Sequence, residues 1–162
     1  MVSLKANVKA VVKYRVIKRR VDEKKPYAIE ESEHQCYLVE GMNEMWSLIC
    51  GDVSAVAYNN ANARIGVGNG TAAEDETQTG LQGTSTAFKA MESSYPTYGS
   101  NKKATFRSKF VSGEAEFAWE EVTIDNGSTR NKNMLRIVSS KGTKPSGEEW
   151  TAEIECTFQN PA

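Results

Sequence analysis

The sequence predicts a mainly β fold, an antiparallel β-sandwich of jelly-roll type, with one α-helix near residues 39–50 and a short helix near 85–91. Three observations carry that expectation. Near the N-terminus, Leu4, Ala6, Val8, Ala10, Val12, Tyr14 and Val16 alternate with Lys5, Lys9, Lys13 and Arg15, which gives one buried and one cationic face. Near the C-terminus, Trp150, Ala152, Ile154, Cys156 and Phe158 alternate with Thr151, Glu153, Glu155 and Thr157. Between these strands there is no βαβ rhythm and no internal repeat, so the intervening segments read as further strands with helical excursions.

The elements follow in order. The first strand breaks at Arg19-Arg20, and a charged loop runs to Pro26. Residues 38–50 switch to helical spacing: Val39, Met42, Trp46 and Ile49 form a stripe widened by Met45 and Leu48, expected to pack on a sheet, with Gly51 as the stop. A strand over 63–67 leads into Gly68-Asn69-Gly70, and 71–83 is polar enough to be a surface loop. Ser85 is placed to cap the short helix, with Phe88 and Met91 inward, and Tyr95-Pro96 ends it. Strands are expected over 104–110 and 115–124. The apolar parity changes between Trp119 and Val122, which predicts a β-bulge at Glu120-Glu121. Asp125-Asn126-Gly127 signals a turn, with the next strand over 135–138. One domain spans 1–162: residues 1–37 are a long basic strand and charged loop of arm-like character, and 38–159 form the core sandwich.

Bulk properties exclude several classes. Hydrophobic content of 39% with 25% charged residues is that of a folded globular chain. The net charge of −1 supplies no global field toward nucleic acid or a membrane. No run approaches the roughly 20 apolar residues of a membrane span, and MVSLKANVKAVV lacks the apolar region of a signal peptide. Cys36, Cys50 and Cys156 are odd in number without CxxC spacing, so they read as reduced thiols in a cytoplasmically made protein.

The segment from Gly66 to Thr71 resembles a nucleotide cradle only superficially. A dinucleotide fingerprint needs G-x-G-x-x-G at a helix start, whereas here the spacing is G-x-G-x-G, followed by Glu74, Asp75 and Glu76, which would repel phosphate. Those three acids lack calcium-loop spacing and read as a solvated loop. His34 and Cys36 share a strand face without an orienting third group. Glu120-Glu121 and Glu148-Glu149 are adjacent acids, not a facing catalytic pair. The sequons at Asn69 and Asn126 are turn chemistry. No catalytic, cofactor-binding or metal-binding residue is assigned and no cofactor is expected. Partner contact is assigned to Lys5, Lys9, Lys13 and Arg15 on the basic strand face, to Glu74, Asp75 and Glu76 in the loop, and to Tyr95 and Tyr98 as exposed aromatics. A protein partner, or protection of an edge strand, suits the basic face better than nucleic acid, which would call for interleaved aromatics.

Several segments together carry a resemblance: VEGMNEMWSLICG, then YNNANARIGVGNGTAAEDETQTGLQGT, KAMESSYPTYG, ATFRSKFVSGEAEFAWEEVTIDNG and SSKGTKPSGEEWTAEIECTF, over residues 38–159. In this combination the chain resembles a group of tailed-bacteriophage virion structural proteins. The resemblance implies a non-enzymatic protein assembled onto the virion in the bacterial host cytoplasm. Its first implied role is a head decoration (cement) protein bound to the major capsid protein or other virion proteins. The alternative is a tail, neck or baseplate component. It also implies a symmetric homo-oligomer, a trimer being the expected form. A carbohydrate-binding module is the competing class. It needs an exposed aromatic platform, but strand parity places Trp119 and Trp150 inward and Trp46 lies on the helix's apolar stripe, leaving Tyr95 and Tyr98.

Overall fold

The computed structural model describes residues 8–127 and 129–160, and Lys5, Leu4 and Ala6 lie outside that range. The strands are β1 (Lys9–Arg20), β2 (Ala28–His34), β3 (Arg64–Gly68), β4 (Thr86–Ala90), β5 (Thr97–Ser100), β6 (Lys103–Phe110), β7 (Glu121–Asp125), β8 (Asn133–Val138) and β9 (Glu148–Gln159), with one helix, α1 (Val39–Ile49). They form two antiparallel sheets, ordered β2-β1-β9-β6-β5 and β4-β3-β7-β8. This is the expected β-sandwich class. Its connectivity is a series of hairpins, β1–β2, β3–β4, β5–β6 and β7–β8, each pair staying within one sheet.

The two alternating patterns meet each other. β1 pairs along its whole length with β9, from Lys9 opposite Gln159 to Arg20 opposite Glu148. Residues 9–34 are therefore part of the sandwich, not an arm: β1 lies between β2 and β9, and Val12, Tyr14 and Val16 are fully buried. Facing them across the core are Ile65 and Val67 of β3, Val122 and Ile124 of β7, and Leu135 and Ile137 of β8. Trp119 touches Phe110 and Trp150 edge-on, at centroid distances of 5.0 and 5.1 Å. Such pairs contribute about 0.5–1.5 kcal/mol beyond the area they bury.

Three local expectations are corrected. The segment near 85–91 is not a helix: Thr86–Ala90 is β4, antiparallel to β3. Phe88 sits opposite Gly66, and a Cβ on Gly66 would lie 2.5 Å from the Phe88 ring, so the aromatic covers a bare strand position. That cross-strand fit outweighs the capping signal of Ser85. Residues 111–120 are irregular, tied to 139–144 by an isolated bridge between Ala118 and Thr143 and by backbone hydrogen bonds of Phe117, Trp119 and Glu120, and β7 begins only at Glu121. The parity change marks the start of a strand, not a bulge.

The helix forms where expected but is rotated. Its buried residues are Gly41 and Glu44, with Met42, Met45 and Leu48 packed against the core, while Trp46 is 65% and Ile49 73% exposed. Gly41 sets this rotation, because any Cβ there would collide with the Met134 Cα and the Asn133 carbonyl of β8. Glu44 then accepts hydrogen bonds from Val56 N at 2.9 Å, Asn126 Nδ2 at 3.0 Å and the Arg130 guanidinium. Burial works to raise its pKa, but the Arg130 and Val56 hydrogen bonds win and hold the carboxyl below its ordinary value.

Candidate interaction surfaces

The basic face of β1 is real, but its partners belong to the same sheet. Arg15 meets Glu31 at 2.7 Å and Glu153 at 3.0 Å, and Arg19 pairs with Glu149. Lys13 stands in register with Glu33 and Glu155. Lys9 faces Gln159. Acidic residues facing these cations are supplied by β2 and β9. Exposed pairs of this kind are screened by solvent and add little to stability.

The acidic loop is not simply solvated. Glu74 accepts the Val138 amide at 2.6 Å, and the Glu76 carbonyl accepts the Val39 amide at the start of α1. Asp75 closes a local turn through Thr77. Tyr95 is half-buried beneath Arg107, at 5.7 Å, whereas Tyr98 is 78% exposed.

The glycine-rich turn is a cradle after all, and its anion is a side chain of the protein. Glu121, fully buried, accepts backbone N–H groups from Gly70 at 3.1 Å, Gln82 at 3.0 Å and Gly83 at 2.7 Å, and the Arg136 guanidinium at 2.6 Å. Arg136 in turn donates to the carbonyls of Ala72 and Ala73 and to Gln78. Gly68 and Gly70 are needed for clearance: a Cβ on Gly68 would stand 2.5 Å from Glu121 Oε1. The donors that would have met a phosphate are spent on Glu121, and the polar loop is pinned over the outer face of β7 and β8. Thr123, Asp125 and Asn133 extend this second, polar core, where Thr123 Oγ1 donates to the Leu135 carbonyl at 2.6 Å and Asp125 pairs with Arg64.

One grouping has the outline of a nucleophile site. Ser32 Oγ lies 2.9 Å from His34 Nε2, and His34 Nδ1 lies 3.6 Å from Glu74 Oε1. The contact between His34 and Glu74 exceeds hydrogen-bond length, and the Ser32 hydroxyl is already occupied by Ser139 Oγ at 3.2 Å and Lys141 Nζ at 3.1 Å. Burial lowers the pKa of both His34 and Lys141. As arranged, these groups fasten the edge strand β2 to the loop after β8. Burial pushes the pKa of the nearby Cys36 thiol up from its ordinary value.

An open cleft lies at one end of the sandwich. A cleft of about 430 Å³ is lined by Tyr37, Met45, Phe106, Met134, Cys156 and Phe158, with the β5–β6 turn as its rim. The Tyr37 hydroxyl, buried in its wall beside the Cys156 thiol, has no hydrogen-bond partner in good geometry. Burial raises the Cys156 thiol to about 12. On α1, Val39, Trp46 and Ile49 are exposed to solvent, as is Val53 after it, and Tyr98 and the cleft-lining Phe158 are exposed as well. Sequence reasoning found these helix residues but turned them inward. Gly41 and Glu44, at the spacing of the true inner face with Met45 and Leu48, were the signal that could have shown the rotation.

Among the described residues no group of three or more His, Cys, Asp or Glu is placed to hold a metal ion, and no helix is long and apolar enough to cross a membrane. Compared with known protein families, curated proteins and solved structures, the chain matches none.

Proposed function

We propose that the chain is a non-enzymatic docking protein of a tailed-bacteriophage virion, most specifically a head decoration protein that stabilises the coat lattice. The observation that carries the docking role is the apolar end face. Trp46, Ile49 and Val53 stand exposed on α1 and just after it, and Met45 of the same helix lines a cleft wide enough for an aromatic or aliphatic anchor. Large apolar side chains left exposed in this way suit a protein-binding surface, where aromatics seated in pockets dominate the energetics. The resemblance over residues 38–159 supplies the virion context. The frame suits the role: two sheets with a continuous core hold the cleft rigid, so docking orders little of the chain.

Purified protein added to empty coat shells and, separately, to tail tubes tests this reading. Stable attachment to shells supports the decoration role, and attachment to tubes alone transfers it to the tail. The exposed Trp46 also gives the carbohydrate-module reading a platform it lacked. Its neighbours Ile49 and Val53 offer no hydrogen bonds to sugar hydroxyls, so protein docking is favoured. A glycan array with Trp46→Ala and Tyr95→Ala controls separates the two.

A further inference from the structure

The outer face of the five-stranded sheet carries its charges in stripes, one sign per strand. Across four adjacent strands, one row reads Glu31 on β2, Arg15 on β1, Glu153 on β9 and Arg107 on β6, all in direct register. The next row reads Glu33, Lys13, Glu155 and Thr105. β9 adds Glu149 opposite Arg19, while β6 adds Lys103 and Lys109. The order is acidic, basic, acidic, basic.

An alternating pattern with an even number of stripes is the opposite of its own reversal. We propose that this face is a self-association surface, and that its occupant is a second copy of the chain related by a two-fold axis running parallel to the strands between β1 and β9. That rotation reverses the strand order while keeping each row at its own height. Glu31 then faces Arg107 of the second copy, Arg15 faces Glu153, and Lys13 faces Glu155. The other in-plane two-fold, perpendicular to the strands, lays each stripe on itself and sets like charges together. The charge pattern therefore selects one symmetric contact and rejects the other. Glu92, which meets Arg107 at 2.7 Å, ends the row beyond β6 and overhangs the second copy's β2 edge.

The side chains are already ordered and partly desolvated by pairing within the sheet: Glu153 is 16% and Arg107 30% exposed. Less of the cost of association remains to be met. At about 4.8 Å between strands and about 6.8 Å between rows, four strands by four rows give on the order of 500 Å² per copy. That is below the roughly 800 Å² of a standard interface, and the contact is built from charges. A weak association that salt dissolves is the consequence. It does not depend on what the apolar end face binds.

Sedimentation equilibrium of the full chain, at low and at high sodium chloride, tests the proposal. The expected result is a monomer–dimer equilibrium that weakens at least tenfold in high salt. Arg15→Glu alone, or Glu153→Arg alone, places like charges opposite each other in the two middle columns and abolishes the dimer. The double variant Arg15→Glu/Glu153→Arg reads acidic, acidic, basic, basic, which is again the opposite of its own reversal, so it restores the dimer while losing the Arg15–Glu31 and Arg107–Glu153 pairs within each copy. A purely structural role predicts the reverse, with the double variant the worst. Circular dichroism confirms that each variant is folded. The wild-type measurement stands without them: a monomer at low salt and millimolar protein overturns the proposal, as does an oligomer indifferent to salt or one broken by Trp46→Asp but not by Arg15→Glu.

Discussion

Replacing Glu121 with alanine removes the group on which the longest loop of the protein is hung. The carboxylate is fully buried against Arg136, itself fully buried, and accepts the amides of Gly70, Gln82 and Gly83. Breaking a buried ion pair on one side leaves the other charge uncompensated, which costs about 3–5 kcal/mol. Three amides lose their acceptor in the same step, so the upper part of that range is expected. Equilibrium urea denaturation measures the loss, and amide hydrogen exchange at Gly70, Gln82 and Gly83 shows where it falls. The double variant Glu121→Leu/Arg136→Met separates the two contributions. It removes both charges but leaves the amides unpaired, so stability recovers in part while the loop amides stay unprotected. Glu121→Ala within about 1 kcal/mol of wild type, with those amides still protected, would refute the cradle as the loop's anchor.

Other consequences follow from the same geometry. Gly68→Ala places a Cβ 2.5 Å from Glu121 Oε1 and is expected to cost about 1–3 kcal/mol by thermal or urea unfolding, whereas Gly113→Ala meets nothing within 4 Å and pays only for its φ of +89°. Thiol labelling near neutral pH should modify exposed Cys50 first and half-buried Cys36 and Cys156 more slowly, Cys156 slowest because burial holds its thiol protonated to about 12; labelling of Cys156 as fast as Cys50 would contradict this order. His34 has a folded-state pKa below its ordinary value, from burial first and Lys141 nearby. The folded protein therefore resists a proton that the unfolded chain accepts, and stability is lost as pH falls through about 6.5 toward the folded value. Denaturation midpoints at about pH 7.5 and about pH 5.5 measure this, and His34→Gln should flatten the difference; an unchanged slope removes His34 as its source.

Much of the fold was legible because apolar and polar residues alternate over most of the length where two long strands pair, Val11 and Thr151 being buried against the pattern. The parity of Val12, Tyr14 and Val16 against Lys13 and Arg15 forces one face inward, and β9 answers with Trp150, Ala152 and Ile154. What escaped were features whose signal lies between segments. β2 and β4 carry weak patterns of their own and exist through their partners, β1 and β3. The helix stripe was found and turned the wrong way, because apolar spacing does not reveal that Gly41 is the contact and Glu44 the anchor. The acids that pair with Arg15 lie far from it in sequence, at Glu31 and Glu153, so the basic strand read as a surface waiting for an outside partner. The turn at Gly68 read as a tight turn at a strand end, whereas the carboxylate it cradles, Glu121, lies far along the chain.

The account stands on the apolar end face as a docking surface. Co-sedimentation of the purified protein with empty coat shells, comparing wild type with Trp46→Asp and Ile49→Asp, tests it most directly. These side chains are exposed, so the fold tolerates the changes, and the predicted result is saturable binding by wild type that falls at least tenfold in each variant. Equal binding by all three proteins would place the contact elsewhere and contradict the account.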